Sequence, residues 1–240
     1  MRRVRLSTRL CSAAASRYAG TMAIELFAHP FSSYCQKVLI ALYENATPFA
    51  YRMLGPDDPG TFAEFAGLWP IRRMPLLVDA GRPVVESSVI VEYLDRDHPG
   101  SARLIPADPD AALEARLLDR FFDLYVMTPM QKIVGDHLRA DDERDPRGVA
   151  DARALLETAY RWLEDCLTGR AWATGAAFTL ADCAAAPALF YADWVEPIAA
   201  DLTALRGYRA RLLARPSFAR AVDEARPYRP LFPPGAPDRD

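Results

Sequence analysis

Apolar and polar residues follow two different periods between residues 24 and 97, and each change of period marks a new element. Short apolar runs bounded by turn residues predict strands, and apolar positions three or four residues apart predict helices. The predicted order is β-α-β-α-β-β-α, over residues 24–28, 34–45, 49–53, 60–68, 76–79, 83–85 and 87–96. This order predicts a small α/β domain built on one sheet.

The chain beyond residue 110 is predicted to be helical throughout. Its first long helix has two apolar faces, which implies two packing partners, such as the helical core and another surface. One face carries Leu113, Leu117, Phe121 and Leu124, and the other carries Leu118, Phe122 and Tyr125. Pro129 should kink this helix, because its ring clashes with the carbonyl of Tyr125. Farther along, Thr179 and Asp182 form a capping box ahead of an alanine-rich helix.

The predicted organisation is therefore two domains with two short ends. Residues 22–98 form the α/β domain, 99–109 a polar linker with prolines, 110–228 an all-helical domain and 229–240 a loose tail. Residues 1–21 carry five arginines and no acidic residue, which fits an organelle transit peptide or an over-long gene start. We favour the gene start because Met22 stands directly before the first strand. In either case we expect this extension to be disordered.

Composition and charge exclude several classes of function. Hydrophobic residues make up 51% of the chain and charged residues 25%, which is ordinary for a soluble globular protein. The net charge of −3 gives no reason to expect nucleic acid or a membrane surface as a partner. No apolar run approaches the roughly 20 residues that span a bilayer. The four cysteines have no CxxC spacing and the three histidines no metal-ligand spacing, so we expect no metal and reduced thiols in the cytoplasm.

The segment Ser32-Ser33-Tyr34-Cys35 lies at a predicted strand-to-helix junction. Unpaired backbone N–H groups and the helix dipole favour a negative charge at such a place. Lowering a thiol pKa by about two units requires about 2.7 kcal/mol. A serine hydroxyl that donates to a thiolate supplies about 1.5–3 kcal/mol, and the helix N-terminus up to about 2. The segment can therefore activate a thiol, although on its own it is better explained as a helix cap.

The pair Met74-Pro75 is a second candidate. A proline that opens a strand directly after Arg72-Arg73 is a candidate cis site. A cis bond there turns the backbone N–H and C=O of Met74 outward, where a peptide-like ligand can pair with them.

The pair Glu86-Ser87 is a third candidate. Ser87 is the predicted N-cap of the helix that follows, so capping is the simpler explanation. A serine at a helix N-terminus also suits a ligand carboxylate, and a glutamate suits an ammonium group. Together they match the α-amino-acid end of a γ-glutamyl peptide.

With these three segments in this order and spacing, the chain resembles a cytosolic glutathione S-transferase of the serine type found in bacteria. The matching strings are LFAHPFSSYCQKVLIALYE, WPIRRMPLLVD, RPVVESSVIVEYLD and FTLADCAAAPAL. The resemblance covers residues 24–225. It implies an α/β thioredoxin-like N-terminal domain, an all-α C-terminal domain, glutathione as cosubstrate, a hydrophobic electrophile as second substrate, and a homodimer.

The resemblance also implies roles for individual residues. Ser32 matches the group that activates the glutathione sulfur. The implied glutathione contacts are Met74 and Pro75 for the cysteinyl part, Glu86 and Ser87 for the γ-glutamyl group, and Arg73 for the glycine carboxylate. Asp182 matches a capping-box acid that serves folding. The chain has Trp69-Pro70 where the family often has Asn-Pro, which puts the ligand contacts of that loop in doubt.

Two further predictions concern the neighbourhood of Ser32. Tyr125, Met127 and Met130, close to the predicted kink, are candidates for the wall of the second-substrate site. Cys35, three residues after Ser32, is predicted to pack in the core, with a redox role as the alternative. Tyr34 is a poor candidate for the catalytic tyrosine of other transferase classes, which lies earlier, near the end of the first strand.

Three functions stay open at this point. The leading one is conjugation of the glutathione thiolate to an electrophile. A second is glutathione-dependent isomerisation or thiol–disulfide exchange. A third is a non-catalytic transferase-like protein that carries ligands or binds partner proteins, although a scaffold has no need for the glutathione contacts.

Overall fold

The computed structural model describes residues 24–240, so the predicted extension and Met22 lie outside the described residues. The predicted β-α-β-α-β-β-α order of the first domain is confirmed. Its strands are β1 (Ile24–Ala28), β2 (Phe49–Met53), β3 (Leu76–Asp79) and β4 (Arg82–Val85). Its helices are α1 (Ser33–Glu44), α2 (Pro59–Leu68) and α3 (Ser87–Asp97).

The four strands form one mixed sheet in the order β2-β1-β3-β4. β1 runs parallel to β2 and antiparallel to β3, and β3 and β4 form the predicted hairpin. Alternate side chains of β1 point to opposite faces. Leu26 packs in the main core with α1 and α3, whereas Phe27 packs on the other face against Phe65 of α2. The sheet is therefore covered on both faces.

The second domain is helical, as predicted. Its helices are α4 (Pro109–Phe121), α5 (Thr128–Asp136), α6 (Pro146–Leu167), α7 (Leu180–Val195), α8 (Thr203–Leu213) and α9 (Pro216–Ala225). α7 is buried on nearly all sides and forms the centre of the domain. The predicted capping box of Thr179 and Asp182 is present at its start. The two-domain fold class is confirmed.

A π-helical turn at Phe122–Met127 lies directly before Pro129, where the sequence predicts a kink. Pro129 has no N–H to donate to the carbonyl of Tyr125, so the α-helical hydrogen-bond ladder cannot continue through this point. The chain widens instead, and the Thr128 N–H and hydroxyl both donate to the Asp123 carbonyl, the hydroxyl at 2.9 Å. π turns of this kind are frequent at functional sites.

The end of the chain differs from the predicted loose tail. Residues 226–231 form a 3-10 turn, and Phe232 is only 6% exposed. The ring of Phe232 packs edge-on against Trp194, with ring centres 5.1 Å apart. Arg239 forms an ion pair with Asp193 of α7. Burial of an aromatic side chain and pairing of a guanidinium hold the segment against the helical domain.

A buried ion cluster joins the two domains. The side chain of Lys37, on α1, is 1% exposed. Its ammonium group pairs with Asp119 of α4, lies 3.0 Å from Asp123 of the π turn, and donates to the Ser88 hydroxyl of α3 at 2.9 Å. The ammonium group donates hydrogen bonds to Ser88 and Asp123, and Asp119 supplies a second carboxylate beside the charge. Four elements are thus held around one charge.

Replacement of Lys37 by methionine should destabilise the protein strongly. Two buried aspartates would then lose the cation that lies between them, with only the half-exposed Arg120 left beside Asp123, and breaking a buried pair costs about 3–5 kcal/mol. Lys132 is the matched control, because it pairs with Asp145 at 2.5 Å but is 33% exposed. Lys132→Met should cost at most about 1 kcal/mol. Urea midpoints of the two variants measure the difference, and equal midpoints would contradict the role given to Lys37.

Candidate functional site

A cavity of about 450 Å³ opens between the first domain and the start of the helical domain. It is lined by Ser32, Tyr34, Arg72, Arg73, Met74, Pro75, Glu86, Ser87, Ser88, Arg120, Asp123, Leu124 and Gln131. Six of these residues are the sequence-predicted glutathione contacts. The fold therefore brings the three separate segments to one place.

Ser32 is the N-cap residue of α1, but its side chain does not cap the helix. Its backbone carbonyl accepts from the Gln36 N–H at 2.9 Å, and its own N–H donates to the His29 carbonyl at 3.0 Å. The hydroxyl lies beside the buried Cys35 thiol and lowers the pKa of that thiol, against the larger effect of burial. The simpler explanation of this segment, a serine that only caps its helix, does not apply.

The peptide bond between Met74 and Pro75 is cis, as predicted. Pro75 is buried and Met74 half-buried at the edge of the cavity. Just before them, Arg72 has a left-handed backbone with φ of +57°. The turn leaves the side chains of Arg72 and Arg73 exposed in the cavity lining.

Glu86, and not Ser87 as predicted, is the N-cap residue of α3. Glu86 takes a left-handed backbone with φ of +69°, where the chain turns from β4 into the helix. Ser87 is then already helical, is 7% exposed, and lines the cavity at the helix N-terminus. The helix cap therefore lies one residue earlier than predicted, and both Glu86 and Ser87 line the cavity.

The helical domain contributes residues that the sequence patterns did not indicate. The Arg120 guanidinium lies 3.1 Å from the Asp123 carboxylate. From the sequence alone, two such residues three positions apart indicate only an ion pair on a helix surface. Burial raises the pKa of Asp123, which also lies beside Lys37. Leu124 and Gln131 complete this wall.

Charges of both signs surround the cavity. The N-termini of α1 and α3 both open into it, and three arginines, Arg72, Arg73 and Arg120, lie in its lining. Glu86 and Asp123 supply the negative charge. Helix N-termini and guanidinium groups bind carboxylates, whereas carboxylates bind ammonium groups. The cavity suits a small peptide-like ligand that carries two carboxylates and one ammonium group.

A second cavity, of about 340 Å³, lies directly beside the first. Its lining is mostly apolar: Phe31, Ser32, Ser33, Met130, Gln131, Val134, Gly135, Leu138, Tyr191, Leu231, Phe232 and Pro233. Ser32 and Gln131 line both cavities. An apolar ligand held here would meet the first ligand at Ser32.

The three predicted wall residues do not stay together. Met130 lines the second cavity. Met127 is 2% exposed and belongs to the core, and Tyr125 is 47% exposed and packs against Phe121 outside the lining of either cavity. The π turn ends at Met127, so residues on its two sides do not share one α-helical face.

Neither a membrane-spanning helix nor a cluster of metal ligands occurs within the described residues 24–240. No helix there is long and apolar enough to cross a membrane. No group of three or more His, Cys, Asp or Glu side chains in that range is placed to hold a metal ion.

Comparison with known proteins decides the family. Residues 26–102 match the family model of the glutathione S-transferase N-terminal domain, and residues 141–211 that of the C-terminal domain. Glutathione S-transferase U7 of Arabidopsis thaliana is 30% identical over 177 residues, which is 72% of this chain and 70% of that protein. The chain belongs to the glutathione S-transferase family. Alignments with several other plant transferases span about half of those proteins.

Two other relatives bear on the site of this transferase. The crystal structure of a glutathione S-transferase from Methylobacterium radiotolerans, in complex with glutathione sulfonate, is 31% identical with a TM-score of 0.73. The match covers 83% of this chain and 94% of that one. A probable maleylacetoacetate isomerase of Vibrio cholerae is 28% identical over 86% of this chain and 98% of that protein. Glutathione is the cosubstrate of this family.

In this transferase, burial raises the pKa of both residues that follow Ser33 and so disfavours their charged forms. Tyr34 lines the first cavity, and burial raises its pKa to about 12. Cys35 has no exposed surface, and burial raises the pKa of its thiol to about 11. At neutral pH Cys35 is therefore held as the neutral thiol, whereas the thiolate is the reactive form.

Cys35 should therefore resist alkylation in the folded protein. Burial disfavours the charged form, so its reactivity rises only as pH approaches about 11 or when the protein unfolds. Cys166 is partly exposed and serves as the internal control. Brief treatment with iodoacetamide near neutral pH, followed by mass spectrometry of peptides, should find Cys166 modified well before Cys35. Equal labelling of the two would show that Cys35 is accessible.

Proposed function

We propose that this protein conjugates the glutathione thiolate to a small hydrophobic electrophile, with Ser32 as the activating group. One observation carries the proposal: the Ser32 side chain, free of any capping role, lies where the charged cavity and the apolar cavity meet. A thiol bound in the first cavity and an electrophile bound in the second would react at this point.

The charges of the first cavity favour one orientation of bound glutathione. Its γ-glutamyl carboxylate suits the N-terminus of α3 at Ser87, and its ammonium group suits Glu86 and Asp123. The backbone of Met74 suits the cysteinyl part, and Arg73 the glycine carboxylate. In this orientation the sulfur lies at Ser32, at the N-terminus of α1.

The chemistry needs no covalent intermediate on the enzyme. The bound thiol loses its proton to solvent, and Ser32 donates a hydrogen bond to the thiolate. The sulfur then forms a bond to the electrophilic carbon, and the leaving group departs with its electron pair. A hydrogen bond to a charged group and a helix N-terminus together supply the roughly 2.7 kcal/mol that a shift of about two pKa units requires.

Ser32→Ala should lower the turnover of an aryl halide by about 10- to 100-fold, because one hydrogen bond to the charged sulfur is lost. The affinity for glutathione should change much less, since the remaining contacts are intact. Steady-state kinetics and glutathione titration measure the two quantities.

Ser33→Ala is the matched control for this test. Ser33 is the next residue and lines only the second cavity. Turnover that is unchanged by Ser32→Ala, or lowered equally by Ser33→Ala, would reject Ser32 as the activating group.

An isomerase is the second candidate, and the end-to-end match to a probable maleylacetoacetate isomerase favours it. Both activities use a glutathione thiolate, so the first cavity serves either. Assay of the wild-type protein with an aryl halide and with a cis-enone acid separates them.

Thiol–disulfide exchange is less well supported, because it needs an accessible thiolate and Cys35 is buried. If activity were lost in Cys35→Ser but kept in Ser32→Ala, thiol–disulfide exchange would become the favoured function.

A non-catalytic carrier is the third candidate. The clustering of Ser32, Pro75, Glu86 and Ser87 around one cavity argues against it, since a scaffold does not need them. Failure of the folded protein to bind immobilised glutathione would favour it.

We also propose a homodimer through the outer face of α3 and α4. Leu113 and Leu117 are 66% and 60% exposed, and Val89 on α3 is 55% exposed. Arg116 pairs with Glu92 at 2.8 Å and so holds the two helices side by side. Exposed apolar side chains grouped in this way are typical of an interface. Leu113 and Leu117 belong to one of the two apolar faces that the sequence pattern indicated on this helix.

The double variant Leu113→Glu, Leu117→Glu should sediment as a single chain, whereas the wild type should sediment with the mass of two. A charge in the centre of an apolar interface loses its hydration without gaining a partner. Leu155→Glu, at a 40% exposed position on α6, is the control and should stay dimeric. A wild-type protein that sediments as one chain would contradict this interface.

A cytoplasmic location is a further part of the proposal. Cys35, Cys166 and Cys183 are all free thiols, which supports a reducing compartment.

A further inference from the structure

A hydrogen-bond network from the helical domain reaches the turn just before Ser32. Gln36 has no exposed surface and lies on α1, one helical turn after Ser32. Its side-chain N–H₂ group donates to the Pro30 carbonyl at 2.9 Å and to the Tyr191 hydroxyl at 3.1 Å. Tyr191 in turn donates to the Phe31 carbonyl at 3.0 Å.

The chemistry of the groups sets the direction of each bond. The two backbone carbonyls can only accept, and the Tyr191 proton is used on Phe31. The hydroxyl oxygen of Tyr191 and the carbonyl of Pro30 therefore both need a donor, and the Gln36 amide supplies two. Turning the amide around would place oxygen against oxygen.

The network fixes the two residues that precede Ser32. It adds to the bond between the Phe31 N–H and the His29 imidazole at 3.1 Å. Tyr191 belongs to α7 and is 3% exposed. Its ring meets the Phe31 ring edge-on, with centres 5.5 Å apart. The orientation of the α1 N-terminus is thus determined partly by the other domain.

We propose that Tyr191 is a positioning residue for Ser32: through Gln36 and the Phe31 carbonyl it sets the place of the Ser32 hydroxyl relative to the bound thiol. This inference rests on the proposed function of Ser32. A hydroxyl displaced by about 1 Å at a reacting centre can reduce the rate by up to about a hundredfold. Tyr191 also lines the second cavity, so the deciding measurement is the pKa of the bound thiol in the absence of an electrophile.

Tyr191→Phe removes only the hydroxyl and keeps the ring. The pKa of glutathione bound in the absence of electrophile should rise by about one unit, and kcat should fall about tenfold. The KM for glutathione should stay within about twofold, because the contacts of the peptide are unchanged. Ultraviolet absorbance of the bound thiolate against pH gives the first quantity, and steady-state kinetics the other two.

Tyr160→Phe is the matched control. Tyr160 is 2% exposed, and its hydroxyl also donates to a backbone carbonyl, that of Glu196 at 3.1 Å. It lines neither cavity. The two variants should lose similar stability, and only Tyr191→Phe should change the thiol pKa. Gln36→Leu breaks the same network at its other end. If Tyr191→Phe does not fold, the thiol pKa of Gln36→Leu tests the proposal instead.

The outcomes separate this inference from the proposed function. A thiol pKa raised by Ser32→Ala and by Tyr191→Phe, but not by Tyr160→Phe, supports both. If Ser32→Ala raises the thiol pKa but Tyr191→Phe leaves it unchanged, as Tyr160→Phe does, the positioning role of Tyr191 is overturned and the function of Ser32 stands. If Ser32→Ala leaves the thiol pKa unchanged, the activating role of Ser32 is wrong and the inference falls with it.

Discussion

The buried ammonium group of Lys37 is the constraint on which the rest of this structure depends. A lysine with 1% exposure is tolerated only where acceptors surround it. Its acceptors lie on α3, α4 and the π turn, so the cluster stabilises this docking of α1 against the helical domain. That docking places the N-terminus of α1, and with it Ser32, at the junction between the domains.

The site follows from this junction. The first domain supplies the two helix N-termini and the cis-proline turn, and the helical domain supplies Arg120 and Asp123. Asp123 belongs both to the Lys37 cluster and to the cavity lining, so the contact that holds the domains together also sets the charge of the site. Removal of water from such a cluster strengthens its electrostatic interactions.

The π turn gives the helical domain its part in this arrangement. Pro129 interrupts the α-helical ladder, and the wider turn leaves Asp123 and Leu124 beside the first cavity and Met130 beside the second. In a continuous α-helix Asp123 and Met130, which are seven residues apart, would lie on one face. One residue without an N–H therefore divides the wall between a charged region and an apolar one.

The sequence by itself determined the order of elements, the cis proline and the capping box of Thr179 and Asp182, because each depends on residues a few positions apart. Its short motifs also indicated residues of the first domain that line the first cavity. Only the tertiary structure decided that Phe232 packs against the helical domain, that Glu86 caps α3, and that Lys37 meets Asp123 and Gln36 meets Tyr191. Lys37–Asp123 spans 86 residues and Gln36–Tyr191 spans 155, so no local period carries a trace of either contact.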